Sequence, residues 1–348
     1  MRAIALLSGG LDSILAIRIL QEQGIEIEAL NFRTIFACCQ DDAGRAARDL
    51  GVRLTVIGQE DDYLDLIRKP KYGYGRGANP CVDCRIYMFE KAKQFMEQHD
   101  ASVVVSGEVV GQRPMSQKRR DLDLIANRSG LQDRLLRPLS AKLLPATLPE
   151  RTGEIDRERL YDFRGRSRKP LIALAKQFNL PEIPTPSTGC ALTEVNFSSK
   201  VFDLMSHDPA AQRWDFELLR VGRHVRCSAD TRFVIGRNAE ENTALRHLMT
   251  QPESQASALL TPEGFAGPAV MLIGPASDAS LDEAARLLVS YSKTDVMEDP
   301  CIWVDCDGRR TARDLPPAAD RNAVMLTGAG GGDELSGLRE KHRTAAFL

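Results

Sequence analysis

Apolar and polar positions along the first hundred residues alternate between two periods. Residues 2–7 form a short apolar run that Gly9 and Gly10 end. Ile14, Leu15, Ile17, Ile19 and Leu20 then recur at helical spacing. Residues 25–32 predict a second strand, 45–50 a helix, 52–57 a third strand and 101–106 a further buried strand. Strands that alternate with helices predict an α/β fold built on a doubly wound parallel sheet. Residues 68–80, rich in Gly, Pro and Tyr, predict a loop, and 86–98 a helix after it.

The pattern changes after residues 181–188. Helices are predicted over 197–205, 239–249 and 282–291, and strands over 232–235, 270–273 and 301–304. This is the mixed order of an α+β domain. The expected division is 1–205 and 206–348, with the stretch after 328–332 as a tail or short final helix.

Composition adds class. With 348 residues, 43% hydrophobic and 27% charged, the chain has the balance of a soluble protein of two domains. No run of 18 apolar residues predicts a membrane span. The opening residues turn glycine-rich too early for a signal peptide, so a cytoplasmic location and eight reduced thiols are expected. The net charge is only −2, but it is segregated: residues 110–180 carry 16 Lys and Arg against 8 Asp and Glu. Arg113, Lys118, Arg119 and Arg120, then Arg164, Arg166, Arg168 and Lys169, form two clusters suited to a phosphate backbone or to a solvated face.

Chemistry concentrates in two places. Ser8-Gly9-Gly10-Leu11-Asp12-Ser13 follows the first strand and opens the first helix. Glycines there admit close approach of a phosphate, hydroxyls and the helix N-terminus receive it, and Asp12 calls for a bridging Mg²⁺. Cys81 and Cys84 form a Cys-x-x-Cys near a helix start, where the helix and Arg85 are expected to favour thiolate. Cys190 follows Ser187-Thr188-Gly189. Cys38 and Cys39, after the second strand, and Cys227, Cys301 and Cys306 read as structural, with the last two flanking a short strand.

Ser8–Ser13 resembles the PP-loop of the ATP pyrophosphatases, which adenylate a carbonyl oxygen and release pyrophosphate. Asn79–Cys84 and Ser187–Cys190 resemble segments of the tRNA 2-thiouridylases. Ser106-Gly107-Glu108-Val109-Val110-Gly111-Gln112, Ser116-Gln117 and Arg137-Pro138-Leu139 resemble the 4-thiouridine synthetases. The resemblance covers about 1–195. It implies an ATP-dependent RNA sulfurtransferase with ATP and Mg²⁺ on Ser8, Gly9, Gly10, Leu11, Asp12 and Ser13. Asn31, Phe32, Gly107 and Gln112 would complete that site. Cys81, Cys84 and Cys190, with Asp12, would carry the reaction. The trio acts either as three ligands of a [4Fe-4S] cluster or as a persulfide relay, with zinc or plain structure as the blander alternatives. The sulfur donor would be small-molecule sulfide or a persulfide carrier. tRNA or another RNA is the expected partner, no membrane is, and a homodimer is considered.

Gly222–Arg226 with 233–242 resembles the RNA-binding module of NFACT-type proteins, in which Arg223, Arg237 and Asn238 would reach phosphate or base edges. The bland alternative is a strand–turn–helix with Asn238 as cap. Two other functions stay open: a PP-loop ligase or sulfur-inserting enzyme for a small molecule, and a non-catalytic RNA-binding protein with a nucleotide switch.

Overall fold

A computed structural model describes residues 1–36, 42–58, 61–186, 189–293, 299–321 and 324–347. Cys38, Cys39, Ser187 and Thr188 lie outside the described residues. The chain divides into two compact units, Met1–Ala191 and Leu192–Leu348.

In the first unit the expected alternation forms one sheet. Its strands are β1 (Arg2–Leu6), β2 (Glu26–Arg33), β3 (Arg53–Gly58), β4 (Val103–Val105) and β5 (Leu135–Leu136). All pair in parallel, in the order β3-β2-β1-β4-β5. The order reverses beside β1, so a crevice opens at the carboxyl ends of β1 and β4, where such sheets take ligands. Helices α1 (Leu11–Gln21), α2 (Asp42–Leu50), α3 (Asp62–Arg68), α4 (Cys81–Gln98), α5 (Arg119–Arg128), the single turn α6 (Leu148–Arg151) and α7 (Lys169–Gln177) cover it.

Strand β1 shows why both faces must be covered. Ala3 and Ala5 join a core with α1, α2 and α7, while Ile4 and Leu6 join a second core with α4 and α5. A parallel strand buried on both sides reads as a continuous apolar run, as residues 2–7 do. On α4, Phe89, Ala92, Phe95 and Met96 form the buried stripe. Asp83, between the two cysteines, accepts hydrogen bonds from the backbone of Lys71 (2.9 Å) and Tyr72 (3.1 Å) and ties the preceding loop to the helix start.

The second unit holds α8 (Val195–His207), α9 (Arg213–Leu218), β6 (Arg223–Arg226), β7 (Arg232–Ile235), α10 (Ala239–Met249), β8 (Ala256–Glu263), β9 (Val270–Ile273), α11 (Asp278–Ser290), β10 (Cys301–Cys306), β11 (Arg309–Arg313) and α12 (Gly331–Phe347). Its sheet is antiparallel in the order β11-β10-β8-β9-β7-β6. Phe233 and Ile235 face α11, and Val234 between them faces Trp214 and the apolar side of α10. Period-2 alternation thus feeds two cores from one strand.

Three expectations change. The unit boundary lies at 191/192 rather than 205/206, because α8 packs along α12 in the second unit. Of the two readings of the final stretch, the helix holds, over 17 residues. Helix α4 starts at Cys81, so both cysteines sit in its first turn instead of before it. Cys301 and Cys306 are the end residues of β10 and do not flank it. Among the described residues no helix is long and apolar enough to cross a membrane.

Phe89 is fully buried under the sheet. Phe89→Ala is expected to cost about 3–5 kcal/mol. Urea unfolding of the full chain checks this through the transition assigned to the first unit.

Candidate functional site

The site forms where β1 and β4 part. Gly9 takes a positive φ of 79°, and a side chain there would stand 2.5 Å from the backbone of Asp42 at the start of α2. Gly107, just beyond β4, is packed as closely on the other side. A Cβ on it would stand 2.5–2.6 Å from the backbone atoms of Asp12 and Ser13. The turn between β1 and α1 is therefore gripped between two backbones, and only glycine fits at either contact.

Within the turn the hydroxyls are already engaged. Ser13 Oγ donates to the Gly10 carbonyl (2.8 Å), accepts from the Ser8 amide (3.3 Å) and lies 3.3 Å from Ser8 Oγ. Gly10 occupies the N-cap of α1 and no side chain caps that end. The Ser13 amide donates to the Gly10 carbonyl (3.1 Å), which leaves the amides of Leu11 and Asp12 as the groups of the first turn suited to an anionic ligand. Leu11 is the exception among the expected contacts. Its side chain is buried in the apolar core with Ile14 and Leu15, so only its backbone can take part.

Asp12 faces this cleft. Loss of solvation pushes its carboxyl above the usual carboxylate range, and Gln112, Arg113 and Arg168 restrain the rise. Gln112 Nε2 donates to Asp12 Oδ2 (3.1 Å). Gln112 Oε1 is buried without a hydrogen-bond partner. Hard oxygen donors beside a glycine cradle fit Mg²⁺ and a polyphosphate. The cleft, open to solvent, is lined by Ser8, Asp12, Ser13, Asn31, Phe32 and Gly107 from the expected set. Asn31 is held by its Nδ2, which donates to the Leu7 carbonyl (2.7 Å).

The Gly-Glu-x-x-Gly-Gln segment acts as a scaffold. Glu108 and Arg137, both buried, form an ion pair (2.9 Å), and Arg137 also donates to the Leu122 carbonyl. Arg85 of α4 stands 3.6 Å from the other oxygen of Glu108. Gln117 closes the loop: its carbonyl accepts from the Gly111 amide (2.6 Å) and its side chain from the Arg113 amide (3.1 Å).

Arg85 and Met88 bring α4 into the wall of the same cleft. Cys81 and Cys84 lie one turn earlier on that helix. The buried Tyr63 of α3 donates its hydroxyl to Cys84 Sγ (3.2 Å). All three of Cys84, Cys190 and Cys81 lie within electrostatic reach of that phenol, whose pKa burial and these neighbours raise well above the ordinary value. The structure thus brings the three expected cysteines into one neighbourhood. It reverses the expectation about their ionisation. Loss of solvation pushes Cys81 and Cys84 up, and it outweighs Arg85, which pulls both down. No three His, Cys, Asp or Glu side chains among the described residues are grouped to hold a single metal ion. Geometry alone therefore does not carry the metal-ligand expectation for Cys81, Cys84 and Cys190.

Sequence reasoning missed Tyr63 and Met88. Neither belongs to a motif, and each looks like an ordinary helix residue until α3 and α4 are packed together. In the second unit, Asn238 takes the bland course: its Oδ1 accepts from the Glu241 amide (2.9 Å) and caps α10. Arg237 is engaged with Glu241 through a forked ion pair. Arg223 lies over the Tyr291 ring (5.2 Å). Asn242, later in the same motif, accepts from the Ala269 amide (2.9 Å), and Gly236 leaves it room.

Residues 1–149 match the tRNA methyl transferase HUP domain family, and residues 222–320 match the NFACT protein RNA binding domain. The first match falls on the unit that carries the cleft, and the second on the antiparallel-sheet unit. The tRNA-specific 2-thiouridylase MnmA of Leptospira interrogans is 31% identical over 115 residues, which cover 26% of this chain and 31% of that protein. The chain thus spans about a third of the length of the curated relative it matches. A predicted subunit of tRNA methyltransferase from Methanocaldococcus jannaschii shares 18% identity at a TM-score of 0.34, over 51% of this chain and 76% of that one. A 4-thiouridine synthetase solved as an RNA complex with bound ATP shares 21% identity at a TM-score of 0.33, over 53% and 51%.

Gly107→Ala is expected to weaken ATP binding at least about tenfold while the thermal midpoint moves little, because the forced shift falls on the turn. Calorimetric titration with ATP and Mg²⁺ checks it. A protonated carboxyl cannot hold Mg²⁺, and burial raises the Asp12 pKa. Affinity should therefore fall on acidification from a higher pH than an exposed aspartate (pKa about 3.9) would give. The same titration repeated over falling pH, with Asp12→Asn as the pH-insensitive reference, reads this.

Proposed function

We propose that this protein is an ATP-dependent RNA sulfurtransferase acting on tRNA. One observation carries the reading: the cleft that holds Ser8, Asp12, Ser13 and Gly107 is also walled by Arg85 and Met88 of the helix that bears Cys81 and Cys84. Nucleotide chemistry and sulfur chemistry would then share one space.

ATP is a substrate here. Its phosphates would lie on the amides of the α1 start, with Asp12 and Gln112 holding Mg²⁺ and Arg113 beside them. A nucleobase carbonyl oxygen attacks the α-phosphorus, and pyrophosphate leaves. Sulfur then attacks the activated carbon, and AMP departs with the original oxygen. The similarity to tRNA-specific 2-thiouridylases and the RNA-binding family match favour tRNA as the carrier of that base.

Cys81, Cys84 and Cys190 would supply the sulfur. Three soft donors suit an iron–sulfur cluster as well as a persulfide relay. In the relay, the terminal sulfur of one persulfide attacks the base, and a second thiolate takes the remaining sulfur as a disulfide that an external thiol must reduce. The Tyr63 hydroxyl would orient Cys84 in either case. The raised thiol pKa values mean that free Cys81 and Cys84 are mostly protonated near neutral pH, so loading with sulfur or iron must displace a proton.

Pyrophosphate release with and without bulk tRNA tests the reading. Stimulation by tRNA is expected, with loss in Ser13→Ala. ATP splitting indifferent to tRNA would point to a small-molecule ligase, and no pyrophosphate to a nucleotide-switched binding protein. Anaerobic purification with iron and sulfide counts separates the two sulfur carriers: iron-free protein that still thiolates removes the cluster. Cys84→Ser should abolish thiolation by either route and leave tRNA binding intact.

A further inference from the structure

The excess positive charge of residues 110–180 is not spread evenly once partners are assigned. Arg137, Lys142, Arg151 and Arg157 are taken up by Glu108, Glu158, Asp133 and Glu150. Arg159 donates to the Glu22 carbonyl. Arg119 and Arg120 pair with Asp123 and Asp121. Lys118, Arg128, Arg134, Arg164, Arg166, Lys169 and Lys176 are exposed and have no ion pair among the described residues, and four of them, Lys118, Arg164, Arg166 and Lys169, belong to two segments that meet.

These four cations are brought together by the backbone. Val110 and Arg164 form an isolated parallel bridge, and the Gly165 amide donates to the Val110 carbonyl (2.8 Å). Gly111 packs against Gly165, and its amide donates to the carbonyl of Gln117, the residue before Lys118. Two segments some fifty residues apart in sequence thus meet along one seam. Each also sends one arginine inward, Arg113 and Arg168, to within electrostatic reach of Asp12. Arg113 lines the cleft, and Arg168 also donates to the Pro184 carbonyl (2.7 Å). Asp162 is the single carboxylate within 161–169.

We propose that Lys118, Arg164, Arg166 and Lys169 form a track for an RNA phosphate backbone on the first unit, separate from the RNA-binding family match at 222–320. Four exposed cations without ion pairs need break no native pair to meet a phosphate, and each phosphate they neutralise releases a counterion condensed on the RNA. Flexible, exposed side chains in irregular backbone suit a strand held by charge, with base identity read elsewhere. The track rests on the thiolation reading only for the identity of its partner. RNA lying on it would bring one nucleotide to the cleft mouth.

The test measures binding of bulk tRNA to the full chain as a function of salt, for wild type and for the triple variant Lys118→Gln, Arg164→Gln, Arg166→Gln. The slope of log affinity against log salt should fall by about two to three, since each phosphate contact contributes about 0.7–0.9. Arg151→Gln, whose native partner is Asp133, should leave the slope unchanged. An unchanged slope in the triple variant, with an unchanged thermal midpoint, overturns the track. So does an equal fall in Arg151→Gln, which would mean that charge acts without regard to place. Should the triple variant melt early, Arg166→Gln alone carries the same test, with a slope loss of about 0.7. A wild-type chain that binds tRNA on this track but never releases pyrophosphate would lose the sulfurtransferase reading and keep the track.

Discussion

The constraint on which the site depends is the contact between Gly107 and the backbone of Asp12 and Ser13. It lies where the sheet order reverses, at the carboxyl ends of β1 and β4. Because a Cβ cannot be accommodated, the loop after β4 supports the turn between β1 and α1 at van der Waals distance. The Asp12 carboxylate is fixed as a result, with Gln112 of the same loop reaching it. Gly9 repeats the arrangement against α2. A ligand cradle built from backbone needs little reorganisation on binding, which is where preorganisation gains affinity.

That support needs a rigid foundation, and it comes from charge. Glu108, next to Gly107, is buried with Arg137, and one of its oxygens also faces Arg85. A buried ion pair contributes little net stability, yet losing one partner costs about 3–5 kcal/mol. The pair therefore acts mainly as a constraint of position. It ties the strand-end loop, β5 and the cysteine-bearing helix to one carboxylate. The loop under the Asp12 turn and the placement of Cys81 and Cys84 are mechanically linked through it.

Much of the first unit was legible because its signals are local. β1 to β4 follow from apolar runs, and the turn residues Ser8–Ser13 and Gly107–Gln112 follow from motif. What the sequence hid depends on packing. The thiol environment was misjudged because Arg85 and the helix start are visible in sequence, whereas the loss of solvation around Cys84 appears only when Tyr63 and Met88 close over it. Leu11 sits inside a motif but its side chain serves the core. The NFACT-like segment shows the same limit. Asn238 is distinctive in sequence, and its observed role is that of a helix cap.

Charge illustrates the point most fully. A net of −2 hides a basic segment, and the basic segment hides a further division. Cations between 137 and 159 neutralise nearby carboxylates or cap carbonyls, and so hold the loops that carry the Glu108–Arg137 pair. Those at the Val110–Arg164 seam have no such duty. Leaving several unpaired cations side by side costs self-repulsion, and a fold without a use for them would intersperse acids. The seam instead places them beside a cleft whose inner arginines already oppose Asp12. On the proposed track an extended polyanion would be steered by these cations, and a small neutral substrate would gain nothing from them.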